Sequence, residues 1–238
     1  MVRSIAFILI IFLVNVGSIV TSYANGDEFN YLDLVNAIKN QDNISVENIL
    51  SSKRSLVNKT DRFGYSPIFW AIESKNKKII YTVLSYNPDL SMRAIQGVSI
   101  GISLVVNNVC DSEILTRLDK AGIDYLEEYD GITLLNYAAF FKAENCVRYL
   151  LKNGYYRRKV DRDSGNTLLH NSVYGGIEIL KLVYKYDSKS INIKNKQGIT
   201  PLELSRKMPD NRSTFNFLLE KKNKRNKRRN KRENKRGR

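Results

Sequence analysis

Gly131-Ile-Thr-Leu-Leu-Asn-Tyr-Ala-Ala139 is the stretch that decides how this chain folds. A glycine opens it, and a tight hairpin turn with φ > 0 is where glycine is favoured over any residue carrying a β-carbon. Thr133 follows at the spacing of a helix N-cap. Leu134 and Leu135 begin an apolar face, while Ala138 and Ala139 are small enough to let a neighbouring helix pack closely. Further on, Leu150 and Leu151 form the apolar stripe of a second helix, with Cys146 in another of its apolar slots. Gly154, in Leu-Leu-Lys-Asn-Gly, ends that helix as a left-handed C-cap. The unit reads turn, helix, helix, stop.

The unit recurs on both sides. Gly64, Gly97, Gly131, Gly165 and Gly198 are separated by 33, 34, 34 and 33 residues. They open Gly64-Tyr-Ser-Pro-Ile-Phe-Trp-Ala, Gly165-Asn-Thr-Leu-Leu-His and Gly198-Ile-Thr-Pro-Leu-Glu-Leu alongside the segment above. Ser66, Ser99, Thr133, Thr167 and Thr200 are the expected N-caps, and Pro67 and Pro201 fall in first helical turns, where a missing N–H costs nothing. A period in this range means one supersecondary unit repeated and stacked. The segments resemble the ankyrin repeat, from about Asn30 to Lys222. The resemblance implies an all-α ankyrin-repeat solenoid of helix-turn-helix pairs joined by short β-hairpin loops. It also implies a function in binding rather than catalysis.

The expected organisation is an N-terminal cap near residues 29–58 and repeats near 61–94, 95–127, 128–160, 161–194 and 195–220, together a domain over 25–220. The Gly97 repeat is eroded, lacking Thr-Pro and the alanine pair, and its stretch from Gly97 to Gly122 is about two residues longer than that from Gly131 to Gly154. Pro209 is placed as the break between the last two helices.

The two ends differ from the rest. Residues 1–24 have the short positive start, unbroken apolar run (Ile5 to Val14) and small-x-small finish (Ser22-Tyr-Ala24) of a secretory signal peptide. The expectation is an exported protein, secreted or periplasmic, with an uncleaved membrane anchor as the alternative. Residues 221–238 hold twelve Lys or Arg against Glu233 alone, a net of +11 out of +15 for the whole chain. Such a self-repelling block without apolar residues is expected to be a disordered basic tail.

Few residues suggest chemistry. The single histidine, His170, falls where ankyrin repeats use a structural histidine that hydrogen-bonds hairpin loops. No cysteine–histidine metal spacing, phosphate-cradling glycine motif or paired carboxylates stand out, so no catalytic residue, metal or cofactor is expected. Cys110 and Cys146 sit at different offsets in adjacent repeats and are expected to remain separate thiols.

Mapping the exposed slots of ankyrin repeats onto this chain gives a candidate interface for an unidentified protein partner. Phe63, Tyr65, Tyr129, Phe140, Phe141 and Tyr174 are its aromatic members, with Arg62, Glu73, Ser74, Ile132, Asp163 and Asn166 beside them. Trp70 is expected between repeats instead. A second class of function is binding of polyanions, nucleic acid or anionic membranes through Lys224, Arg225, Lys227, Arg228, Arg229, Lys231 and Arg232.

Overall fold

A computed structural model describes residues 29–208 and 211–236. The expected signal peptide and Pro209 lie outside the described residues. Six helix pairs follow one another: α1 (Tyr31–Lys39) with α2 (Asn43–Ser52), α3 (Pro67–Glu73) with α4 (Lys77–Ser85), and α5 (Ile100–Val106) with α6 (Ser112–Lys120). Then come α7 (Leu134–Phe140) with α8 (Glu144–Lys152), α9 (Leu168–Gly175) with α10 (Ile177–Asp187), and α11 (Pro201–Arg206) with α12 (Arg212–Arg236). The first helix of each pair packs on the first helix of the next, so α1, α3, α5, α7, α9 and α11 form an inner layer and their partners an outer one.

Local chemistry explains the starts of five inner helices. Ser99, Thr133, Thr167 and Thr200 accept hydrogen bonds from the backbone N–H groups of Ile102, Asn136, His170 and Glu203. Such a cap contributes about 1 kcal/mol. Ser66 stands at the corresponding position but its hydroxyl makes no capping bond; there Pro67 supplies the helical start. Inner and outer layers meet over one continuous apolar core. Ala71, Ala138 and Ala139 are wholly buried, as are Ile79, Ile80, Val83 and Leu218.

Hairpin tips stack along one edge. Asp61 accepts from the N–H groups of Phe63 and Tyr65, and Asn195 from those of Gln197 and Ile199, fixing the turns at Gly64 and Gly198. One tip then binds the next: Ile95 N–H donates to Phe63 O at 2.6 Å and Lys196 N–H to Ser164 O at 3.0 Å. The eroded Gly97 repeat keeps its hairpin, with β1 (Arg93–Ala94) paired antiparallel to β2 (Val98–Ser99). A second hairpin pairs β3 (Glu128–Tyr129) with β4 (Ile132–Thr133).

Two expectations are corrected. Cys110 and Cys146 are joined by a disulfide, with Cα atoms 5.0 Å apart. The turn between α5 and α6 spans Asn107 to Asp111, two residues longer than the Phe141–Ala143 turn of the next repeat. Those extra residues carry Cys110 across to the first turn of α8. The basic tail is likewise not disordered over its described part: residues 221–236 continue α12 as one helix from Arg212. Thr214 and Leu218 are buried at its root, and once packing has nucleated a helix, Lys and Arg propagate it well.

Candidate partner-binding surface

The C-terminal ends of the inner helices are in register, so positions 39, 73, 106, 140, 174 and 207 fall in corresponding places. They read Lys39, Glu73, Val106, Phe140, Tyr174 and Lys207. Charge occupies both ends of that row and apolar groups its centre. Phe140 and Tyr174, from α7 and α9, have ring centroids 4.9 Å apart. Phe141 joins them edge-on to Phe140 at 5.5 Å and stacked on Tyr137 at 6.2 Å, and Tyr137 meets Tyr129 of the β3–β4 hairpin at 5.9 Å. Tyr129, Phe140, Phe141 and Tyr174 are all half-buried. Four of the six aromatic positions chosen from the sequence therefore belong to one connected strip, running from a hairpin onto two inner helices.

The other two separate. Phe63 is 38% exposed, beneath the Arg62 guanidinium at 4.6 Å from its ring centre. Tyr65 is buried, and this corrects its assignment to the surface: its ring lies 5.4 Å from Phe69 and 5.2 Å from Trp70. It faces inward because Asp61 holds its N–H and the Tyr31 hydroxyl donates to its carbonyl. Ile132 and Asn166 are buried as well, the first on β4 and the second bonded to Asn171 and Asn195. Trp70 packs between repeats as expected; its indole donates to Tyr31 and the Lys39 ammonium sits 4.0 Å over its ring.

Polar chemistry near this surface is structural. His170 is fully buried; its Nε2 lies 2.9 Å from Ile199 O and its Nδ1 3.1 Å from Thr167 N. That is the geometry of a neutral ring donating to Ile199 and accepting from Thr167. Burial depresses its pKa, against the opposing pull of the Ile199 carbonyl and Asp187. Asp161 is buried too, accepting from Asn136 at 2.7 Å, Asn171 at 2.9 Å and Ser164 at 3.1 Å. Desolvation raises its pKa despite those donors. The same cause raises Glu127, although Arg93 and Ser99 both contact its carboxylate. Each group is held by partners from more than one repeat: His170 by Thr167 and Ile199, Asp161 by Asn136, Ser164 and Asn171, and Glu127 by Arg93 and Ser99. No group of three or more metal-ligating side chains occurs among the described residues.

Lys224, Arg225, Lys227, Arg228, Arg229, Lys231 and Arg232 are exposed along α12. Sequence reasoning missed that Lys224, Arg225 and Arg228 share a cleft with α10. The signal was present, as lysines at 181, 185 and 189 recur at helical spacing.

Residues 102–195 match the family described as ankyrin repeats (3 copies). The fold is an all-α ankyrin-repeat solenoid. Over 167 residues the chain is 25% identical to the probable 26S proteasome regulatory subunit p28 of Saccharomyces cerevisiae, covering 66% of this chain and 71% of that one. A chain in the solved complex of a predatory endopeptidase from Bdellovibrio bacteriovorus with an immunity protein superposes with a TM-score of 0.60 at 25% identity. That match covers 73% of this chain and 90% of the other. Ankyrin repeats generally mediate protein–protein interaction, and no helix among the described residues is long and apolar enough to cross a membrane.

Proposed function

We propose that this protein is a non-enzymatic, exported interaction module that captures a folded protein partner through the strip formed by Tyr129, Phe140, Phe141 and Tyr174. The connected rings of α7 and α9 carry the reading. Half-buried aromatics held by their neighbours offer large contact area while losing little side-chain entropy on binding, which is why such residues dominate interface energetics. The Cys110–Cys146 bridge supports export, since structural disulfides persist in oxidising compartments and are rare in the cytosol. The likeness to a chain from an endopeptidase–immunity protein complex supports a folded partner, and makes an exported peptidase the first to try.

Exported protein, used as bait on the envelope fraction of its own source, tests the proposal. Phe140→Ala with Tyr174→Ala should weaken capture by about 2 kcal/mol or more if the rings are hot spots. The melting temperature should stay close to that of the parent. Unchanged capture refutes the strip as the interface.

A second reading, a non-selective binder of nucleic acid, other polyanions or anionic membranes, is favoured by the charge density of α12. It requires binding that collapses as salt rises and disappears when residues 221–238 are removed.

A further inference from the structure

We propose that the cleft between α10 and α12 is a binding site for a carboxylate-rich polypeptide segment bearing an apolar side chain. It lies between an outer helix and the terminal helix, away from the aromatic strip, and does not depend on that reading.

The cleft is about 920 Å³ and open to solvent. Its first wall is α10, presenting Lys181, Leu182 and Lys185, continued by Lys189. The facing wall is α12, presenting Phe217, Lys221, Lys224, Arg225 and Arg228 at helical spacing. Arg148 closes one side, and Glu178 is the only acidic residue in the lining. Eight cations and one carboxylate thus line it, while Glu144 and Glu220, outside the lining, pair with Arg148 and with Lys221 and Lys224.

Several contacts hold the walls. Arg225 donates to Ser188 O at 3.1 Å, fastening α12 to the end of α10. Phe217 meets Tyr184 edge-on at 5.5 Å, and the Lys221 ammonium lies 4.8 Å from the Phe217 ring centre. Lys181 and Lys224 pair with Glu178 and Glu220 at 2.9 and 2.5 Å, whereas Lys185, Lys189 and Arg228 have no ion-pair partner among the described residues. Like charges converging on one cleft repel, and a ligand carrying carboxylates relieves that repulsion in both helices.

Shape and lining select the class of ligand. From Phe217 to Arg228 the wall is roughly 16 Å long, the reach of a short peptide. The apolar members of the two walls (Leu182, Tyr184, Phe217) suit an aliphatic or aromatic side chain between acidic ones. A phosphodiester backbone has no apolar group to seat there, and stacking bases need a free ring face, whereas Phe217 is met edge-on by Tyr184 and overlain by the Lys221 ammonium. A bilayer surface is flat and touches only the outer cations.

The test uses the full chain and a fluorescent nonapeptide of glutamates with a central phenylalanine, read by anisotropy at moderate salt. Controls are the all-glutamate nonapeptide, a single-stranded oligonucleotide of equal charge and phosphatidylserine vesicles. The phenylalanine peptide should bind most tightly. Lys185→Glu with Lys189→Glu, on the wall that α10 and the turn after it form, should weaken it by about tenfold or more, because reversal places like charges against the ligand. Lys231→Glu with Arg232→Glu, beyond the cleft, should change it less than about twofold. Circular dichroism of both double variants confirms that helicity is retained. Equal losses from the two pairs, or no loss from the first pair, would overturn the proposal in favour of diffuse attraction to α12. Tighter binding of the oligonucleotide or of vesicles would overturn the choice of a peptide ligand.

Discussion

Removing the Cys110–Cys146 bridge should destabilise this protein more than any surface substitution. The two residues are 36 apart in sequence, and each is 3% exposed. In the chain-entropy description, a cross-link restricts the unfolded ensemble by an amount that grows with the logarithm of the closed loop. For a loop of this length the loss is about 13 cal/mol/K, or about 4 kcal/mol at room temperature. In a domain of this size each kcal/mol moves the melting temperature by about 2–4 °C, so the change should be about 8–16 °C. Protein made in an oxidising compartment should be melted with and without a phosphine reductant, beside a Cys110→Ala, Cys146→Ala variant. Both residues are buried, so reduction is expected only after local opening, and the sample has to be reduced in denaturant and refolded first. The reduced protein and the double variant should melt together, well below the oxidised form. Two thiols titrating in the denatured, unreduced protein would refute the bridge itself. Coincident melts of a protein shown to be oxidised would refute the entropic argument.

Three further outcomes follow from named contacts. His170 has a depressed folded pKa, so the stability it contributes is complete above the ordinary histidine value of about 6.5 and is lost as pH falls through the folded value; urea melts from about pH 7.5 to about 5 should show this decline, and His170→Gln should flatten it. The raised carboxyls of Asp161 and Glu127 act in the opposite sense, their contribution being present at low pH and lost as pH rises through their folded values. Gly64→Ala should cost at least about 1 kcal/mol more than Gly97→Ala in denaturant melts. Both glycines have φ near +80°, but a β-carbon at Gly64 would lie 2.8 Å from Arg93 O while one at Gly97 meets nothing nearer than 3.9 Å, so equal costs would mean that strain alone decides. Deleting residues 221–238 should reduce the helical circular-dichroism signal per molecule in proportion to the sixteen residues of α12 that it removes; an unchanged signal would restore the expectation of a disordered tail.

What could be read from the sequence was what local chemistry determines. A turn glycine, a cap two residues on and a proline in the first helical turn each act within a few residues, so the helix starts at 67, 134, 168 and 201 were all legible. His170 was legible for the same reason, its partners being its own cap and the next hairpin. The misses depend on what lies alongside. Whether Tyr65 or Phe63 turns inward depends on Tyr31, Phe69 and Trp70, which the spacing of one hairpin does not specify. The cleft at α10 was missed, although Lys181, Lys185 and Lys189 recur at helical spacing, because the charge of α12 was weighed alone, as a repelling block, without the buried root at Thr214 and Leu218 that starts the helix.

The bridge and the erosion of the Gly97 repeat belong together. Stacked repeats draw their stability from their own packing and from the interface with each neighbour, so one weak unit can divide the array into two cooperative halves. The Gly97 unit lacks the small residues, Ala71 in α3 and the pair Ala138 and Ala139 in α7, that bring those helices close to their neighbours, and Gly101, a poor helix former, sits within α5. Yet a β-carbon at Gly101 would come within 3.0 Å of Leu134 and 2.5 Å of Glu127, so the glycine brings α5 close to α7 at the cost of helix propensity. Disulfide, lengthened turn and close approach all act at the interface between this unit and the next. They reinforce the array where its repeat signature is weakest, and hold α7, with its half of the aromatic strip, against the N-terminal repeats. Reduction should therefore do more than lower the melting temperature. It should split one transition into two, with the α1–α6 side and the α7–α12 side separable by the Trp70 fluorescence of the first. A single transition after reduction, sharp and simultaneous by fluorescence and circular dichroism, would show that packing between α5 and α7 suffices to couple the halves.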